Sequence, residues 1–431
     1  MRLLYLTAGT GSFYCGTCLR DGTLVKALRE LGHDALLAPL YLPLVLEEAI
    51  PSERVHLGGI NAFLAHRGIA LPRFVQDWLD SPRLLSWTAG KRDMTGARSL
   101  GELTHAMLLG EDGSQASEVE KLLSWLATLG RVDAILLSNG LLLGLAKPLA
   151  RALGAPVLCS LQGEAPYLDA LVEPWRERCW KAIGDAARDV EAFLPVSGYT
   201  RALMVERARL ASERMHLVPN GIELDGFTAA TVPPDPPAIG YLARLCRDKG
   251  LPTLFEAFLR VRRRPGCERV RLIAAGTALE PDRALVRELE RRARAAGLSD
   301  AVEFHADVTR DEKIALLARC SVFSVPATYG ESFGLYLLEA WAMGLPVVQP
   351  EHAVFPELLG ATGGGVLCRP DDPDALASAL GDLLLDPERA RRLGRAGQRA
   401  VEERYTHLHM ARAVERICRI SAPRGAPAPA H

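Results

Sequence analysis

Two glutamates in the C-terminal half stand with seven residues between them, in Glu331-Ser332-Phe333-Gly334-Leu335-Tyr336-Leu337-Leu338-Glu339. The first falls in a loop after an apolar strand pattern. The second falls two turns into a helix that begins near Phe333 and Gly334. The start of a helix has unpaired N–H groups and the positive end of the dipole, so it suits a phosphate. Gly334 lets backbone approach a ligand closely. Glu331 can accept hydrogen bonds from sugar hydroxyls, and Glu339 can hold a ribose diol, as acids do in dinucleotide sites. Taken alone, the stretch also reads as an ordinary helix with two exposed glutamates.

The next residues narrow this. Glu339 is followed by Ala340-Trp341-Ala342-Met343-Gly344-Leu345-Pro346-Val347-Val348. The whole stretch resembles the signature of family 4 of the retaining glycosyltransferases, which have the GT-B fold. The usual pattern has Gly where this chain has Ser332, and both acids are in place. The resemblance extends upstream to Tyr241-Leu242-Ala243-Arg244-Leu245-Cys246-Arg247-Asp248-Lys249-Gly250, where it implies that Arg244 and Lys249 clamp a donor diphosphate. Two fixed cations stabilise the charge that develops on a departing nucleoside diphosphate, and each charge-assisted hydrogen bond contributes about 1.5–3 kcal/mol. The resemblance covers nearly all of residues 236–405. It implies donor contacts from Glu339, Ser332, Phe333, Gly334 and Val308, with Glu331 positioning the sugar.

In the N-terminal half, Gly9-Thr10-Gly11-Ser12-Phe13-Tyr14-Cys15-Gly16 is a Gly-rich turn after a strand. Its spacing does not match the dinucleotide fingerprint. The family resemblance implies that Gly9, Gly11, Ser12 and Gly16 line the cleft on the acceptor side, where Arg20 would add positive charge. Cys15 and Cys18 form a Cys-x-x-Cys pair, which permits a redox reading. Small residues packed at a tight turn are the alternative, and no second cysteine pair completes a metal site. Gln162, in Leu161-Gln162-Gly163-Glu164, stands where the family often has His. An amide donates and accepts hydrogen bonds but cannot shuttle a proton, which leaves contact with a sugar hydroxyl.

These residues need two α/β scaffolds to hold them. Apolar runs predict strands over 3–7, 35–38, 134–137, 157–161, 193–196 and 215–218, with helices over 18–31, 141–153, 175–190 and 199–210. After Thr-Val-Pro-Pro-Asp-Pro-Pro at 231–237, a stiff break, the rhythm restarts. Strands are predicted over 238–242, 270–275, 302–305, 322–325 and 346–348, and helices over 251–263, 283–296, 311–320, 333–343 and 374–385. The expected architecture is α/β, with two Rossmann-like (GT-B) domains facing across a cleft. Residues 1–230 form the acceptor-side domain, with an insertion at about 41–112. Residues 231–237 form a hinge that closes to exclude water, and 238–405 form the nucleotide-sugar domain. A helix at 406–420 and a Pro- and Ala-rich tail at 421–431, expected to be disordered, complete the chain.

Composition excludes several classes. Of 431 residues 48% are hydrophobic and 24% charged, and the formal net charge of −1 predicts no attraction to nucleic acid. Arginine clusters at 262–264, 291–294 and 389–395 read as solvated helix faces, with docking to anionic lipid as the sharper alternative. Nine cysteines without a framework fit a reducing compartment. The first apolar run is too short for a signal peptide. The expected setting is cytoplasmic, with contact to the inner face of a membrane left open. The resemblance implies metal-independent transfer of a sugar with retained configuration, from a nucleotide sugar (UDP favoured, GDP open) to a glycan, lipid or small-molecule hydroxyl, with no cofactor. A non-catalytic nucleotide-sugar binder and a GT-B epimerase or phosphorylase are the alternatives.

Overall fold

The computed structural model describes residues 1–9, 16–41, 97–230 and 232–421. The chain divides into two compact units, Met1–Pro219 with His407–His431, and Asn220–Thr406.

In the first unit the strands are short runs of aliphatic residues buried on both faces, as parallel strands under helices must be. They are β1 (Arg2–Thr7), β2 (Asp34–Pro39), β3 (Ala134–Leu137), β4 (Val157–Leu161) and β5 (Ala192–Pro195). They pair in parallel in the order β2-β1-β3-β4-β5. The helices before the unit boundary are α1 (Gly16–Glu30), α2 (Ala97–Leu109), α3 (Ala116–Leu126), α4 (Ala146–Leu153), α5 (Glu164–Asp169), α6 (Trp175–Ala186) and α7 (Gly198–Ala208). The expected strand at 215–218 is reduced to one bridge, Phe193 to Met215. Residues 97–112 of the expected insertion belong to this unit, and Leu108 shares its core with Leu142, Leu143 and Leu145. The aromatics Phe63, Phe74, Trp78 and Trp87 lie outside the described residues.

The second unit contains β6 (Ala238–Leu242), β7 (Arg271–Gly276), β8 (Val302–Ala306), β9 (Val322–Phe323), β10 (Val347–Pro350) and β11 (Gly365–Cys368). Its helices are α8 (Leu251–Val261), α9 (Glu280–Ala295), α10 (Arg310–Leu317), α11 (Leu335–Ala342), α12 (Phe355–Thr362), α13 (Pro373–Leu385) and α14 (Pro387–Arg404). The all-parallel order β11-β10-β9-β6-β7-β8 is the doubly wound arrangement, and its direction reverses between β6 and β9. Ligands in such sheets bind at the carboxyl ends of the strands beside that reversal. The loop after β6 carries Arg244 and Lys249, and the loop after β9 carries Glu331. β11 was missed because a glycine run precedes only three apolar residues.

The expected boundary at 231–237 is displaced. The chain enters the second unit at Asn220, because residues 220–230 are anchored there. Ile222 N–H donates to Tyr405 O at 3.0 Å, and Arg310 donates to Asp225 O at 2.7 Å and lies over the Phe227 ring. The last helix, α15 (His407–Ser421), belongs to the first unit. Its Met410, Ala411, Val414, Ile417 and Cys418 share one core with Leu24, Val25, Ala27 and Leu28 of α1. The expected disorder of the tail falls on residues outside the description, apart from Ser421, which ends α15. No helix of the described residues is long and apolar enough to cross a membrane.

Candidate active site

In the second unit the loops after β6 and β9 are tied together. Thr328 N–H donates to Asp248 O at 2.9 Å. Gly250, the N-cap of α8, has φ +73°, and a Cβ there would lie 1.8 Å from Pro326 O. Only glycine permits so close an approach, and it brings Lys249 against the other loop.

Lys249 Nζ lies 2.5 Å from Glu331 Oε2, with side chains only 20% and 11% exposed. Tyr336 OH and Tyr329 OH donate to the same oxygen at 3.0 and 3.2 Å. The lysine ammonium sits 4.9 and 5.3 Å from the Tyr329 and Tyr336 ring centroids, a cation–π arrangement. All three donors reach Oε2. Among the described residues Oε1 accepts no hydrogen bond, so one oxygen of a fixed carboxylate remains to take a hydroxyl. Burial pushes the Glu331 carboxyl up. The Lys249 charge and the hydrogen bonds from Lys249, Tyr336 and Tyr329 outweigh that and hold it below the usual range. Burial, reinforced by Glu331, pushes both tyrosines up, so they stay protonated as donors.

The helix carrying the signature starts later than expected, at Leu335, with Gly334 as N-cap at φ +81°. A Cβ on Gly334 would lie 3.1 Å from the Tyr336 ring, so glycine keeps that phenol turned toward Glu331. Ser332 is buried. Phe333, expected to contact the donor, turns its side chain inward. The ring is 3% exposed, 6.3 Å from Tyr405, which leaves only its backbone for a ligand. Glu339 does not stand free: Lys313 Nζ of α10 lies 2.6 Å from its Oε1. Two of the chain's few lysines therefore each hold one signature acid. Val308 is half-buried in the β8–α10 turn.

Arg244 does not join Lys249 and Glu331 directly. Its guanidinium forks onto Asp282 of α9, Nε to Oδ2 at 2.7 Å and Nη2 to Oδ1 at 3.1 Å. Burial opposes the charge, and Asp282 more than offsets that, so the Arg244 pKa is raised.

In the first unit, Gly9 has φ +77° and Gly16 opens α1 in an exposed position. Gly11, Ser12 and Cys15 lie outside the described residues. Cys18 is buried. The expectation for Arg20 is corrected. It is 1% exposed, with Nη1 2.8 Å from Tyr5 OH and 3.4 Å from Asp21 Oδ1, so its charge is spent inside the fold. Asp21 is buried and also accepts from Tyr5 and Thr7 at 2.6 and 2.9 Å. Burial raises its pKa against the opposing effects of Arg20, Tyr5, Gln162 and Thr7. Gln162 sits above this network, with Nε2 donating to Asp21 Oδ1 at 2.9 Å and to Ser138 O at 2.6 Å. Both partners are acceptors, so the amide cannot flip, and its Oε1 accepts no hydrogen bond among the described residues. Sequence reasoning missed Asp21, Tyr329, Tyr336, Lys313 and Asp282. Only Tyr336, inside the signature itself, carried a local signal.

Residues 109–225 match the family described as Glycosyltransferase Family 4, and residues 227–400 match Glycosyl transferases group 1. A GDP-mannose-dependent alpha-(1-6)-phosphatidylinositol monomannoside mannosyltransferase of Mycolicibacterium smegmatis is 32% identical over 278 residues, 59% of this chain and 68% of that one.

The chain belongs to glycosyltransferase family 4.

As a family 4 glycosyltransferase it is a nucleotide-sugar-dependent enzyme. A D-inositol 3-phosphate glycosyltransferase of Xylanimonas cellulosilytica is 35% identical over 208 residues, 45% of this chain and 48% of that one. Among solved structures, sucrose-phosphate synthase of Thermosynechococcus elongatus superposes with a TM-score of 0.72 at 20% identity, covering 97% of this chain and 99% of that one. HepE of Anabaena, in complex with UDP and glucose, gives 0.67 at 18%, covering 97% and 100%. At these identities the structures establish the GT-B fold of this glycosyltransferase and nothing finer.

Proposed function

We propose that the second unit binds a nucleoside diphosphate hexose, with Lys249, Arg244 and the N-terminus of α11 taking the pyrophosphate and Glu331 taking the sugar. The observation that carries this reading is the placement of Glu331. Its Oε2 is fixed by Lys249 and two phenols, and its Oε1 is left to accept a sugar hydroxyl. The ammonium that fixes it is the group proposed to meet the charge that develops on the departing phosphate. Positive charge already built into the fold costs no reorganisation when a phosphate departs, so the reaction is proposed to need no metal and no cofactor.

The sugar is transferred with retained configuration. The departing phosphate oxygen takes the proton of the acceptor hydroxyl on the same face of the sugar, and Glu331 positions the ring without bonding to it. Glu339 holds the ribose once Lys313 shares it. Gln162 of the first unit accepts a hydroxyl through Oε1. Gly9 and Gly16 supply backbone on the acceptor side.

For the donor, the GDP-mannose dependence named for the Mycolicibacterium relative supports GDP-mannose as the first choice, ahead of the UDP-sugar expected from sequence. The relatives' named acceptors, an inositol phosphate and a phosphatidylinositol mannoside, support a hydroxylated acceptor of that chemistry, either free or lipid-borne. A cytoplasmic enzyme touching a membrane only at its surface fits such an acceptor. The test is a panel of GDP- and UDP-sugars read by thermal shift and then by turnover against inositol phosphates and lipid-linked glycans. A ligand specific for the native state raises its apparent stability. GDP-mannose should give the largest shift and be consumed. A panel with no shift and no turnover would refute the reading.

A further inference from the structure

Asp282 is 5% exposed and sits in the first turn of α9, where nothing in the signature of the site points to it. Its Oδ2 accepts Leu279 N–H at 3.0 Å, which pins the carboxylate to the helix start. That pinned carboxylate takes Arg244 by the Nε and Nη2 edge, at 2.7 and 3.1 Å. A guanidinium has five N–H donors in a rigid fork, and the pair uses two. The outer edge, Nη1 with the second hydrogen of Nη2, carries no other hydrogen bond among the described residues, and the Arg244 side chain is 42% exposed. Those parallel N–H groups match the geometry of a phosphate. The backbone of Arg244 is fixed as well: Tyr241 OH donates to its carbonyl at 2.7 Å, and Leu245 N–H donates to Thr277 O at 2.9 Å.

We propose that Asp282 is the positioning residue for Arg244, holding the guanidinium by one edge so that the other edge faces the donor pyrophosphate. This rests on the phosphate role of Arg244 proposed above. It also explains why an acid is tolerated beside an anion site: the carboxylate fixes the direction of the fork, at some loss of net positive charge.

Those two effects have opposite signs, which makes the proposal testable. Asp282→Asn keeps an oxygen for Leu279 N–H, so α9 stays capped, but it sets an NH2 against Nη2. It also removes a negative charge near the phosphate. The probe is whichever of GDP and UDP binds the full-length wild-type chain, titrated calorimetrically, with the matching nucleoside as a phosphate-free control.

Asp282→Asn should weaken the diphosphate about tenfold, as expected when a pre-organised side chain must be ordered on binding, and leave the nucleoside unchanged. In an Arg244→Ala background the same substitution should have no further effect on the diphosphate. Tighter or unchanged diphosphate binding in Asp282→Asn would overturn the proposal, as would an equal loss for the nucleoside. If Arg244→Ala itself leaves the diphosphate affinity unchanged, the phosphate role of Arg244 fails, and the role of Asp282 fails with it. A loss in Arg244→Ala without one in Asp282→Asn removes Asp282 alone.

Discussion

Lys249 Nζ and Glu331 Oε2 lie 2.5 Å apart across two loops more than eighty residues distant in sequence, each largely out of water. Each charge offsets part of the cost of burying the other. Removing one partner of a fully buried pair costs about 3–5 kcal/mol, because the other is left uncompensated. Lys249 keeps some exposure and can reach solvent, so the cost here should be smaller. Glu331→Gln is expected to lower unfolding stability by about 2 kcal/mol, read by denaturant titration, with the fold retained. A loss below a few tenths would mean the pair is not formed.

The same pair sets a pH dependence. Glu331 has a folded pKa below its ordinary value, so its contribution to stability is present above the unfolded carboxylate range and is lost as pH falls through the folded value. Stability attributable to Glu331, measured as the difference between wild type and Glu331→Gln, should be constant at neutral pH and decline as pH falls below about 5, through the ordinary carboxylate range and on through the depressed folded value. A decline starting near pH 6 would place a proton on Glu331 and contradict the assignment.

The alternation of apolar runs with helical periods made both sheets legible, because parallel strands buried on both faces must be continuous aliphatic stretches, as Leu3–Leu6 and Ala134–Leu137 are. The cations and acids of the site were legible as types at a spacing. Their partners were not. Asp282, Lys313 and Tyr329 act through contacts set by how loops cross, and no local pattern announces them. The unit boundary was misplaced for a related reason. Four prolines between 231 and 237 mark a stiff chain, but where contacts stop is decided by Arg310 and Tyr405, far along the sequence, holding residues 222–227.

Gly250→Ala tests the approach of the two loops. The added Cβ would lie 1.8 Å from Pro326 O at a backbone of φ +73°, so the loop carrying Lys249 must shift. The variant should lose about 2–4 kcal/mol of stability and should lose transfer activity even where it stays folded. Normal activity in a folded variant would mean that this approach does not matter for the site.

Gln162→Glu tests the orientation of the amide. It sets a carboxylate 2.9 Å from Asp21 Oδ1 and against Ser138 O, where two acids can remain together only by sharing a proton. The variant should be destabilised at neutral pH by about 2–4 kcal/mol, with the deficit shrinking as pH falls into the carboxylate range. Gln162→His should leave diphosphate binding to the second unit unchanged. An undisturbed melting temperature for Gln162→Glu at neutral pH would contradict the described hydrogen bonds.

The most direct measurement pairs two readings on one variant, Glu331→Ala. Nucleoside diphosphate affinity should be as tight as in wild type or tighter, since Lys249 is freed for phosphate, while single-turnover sugar transfer should fall by at least about a hundredfold. Transfer within threefold of wild type would contradict the role of Glu331 at the sugar and, with it, the placement of a fixed carboxylate beside a departing pyrophosphate.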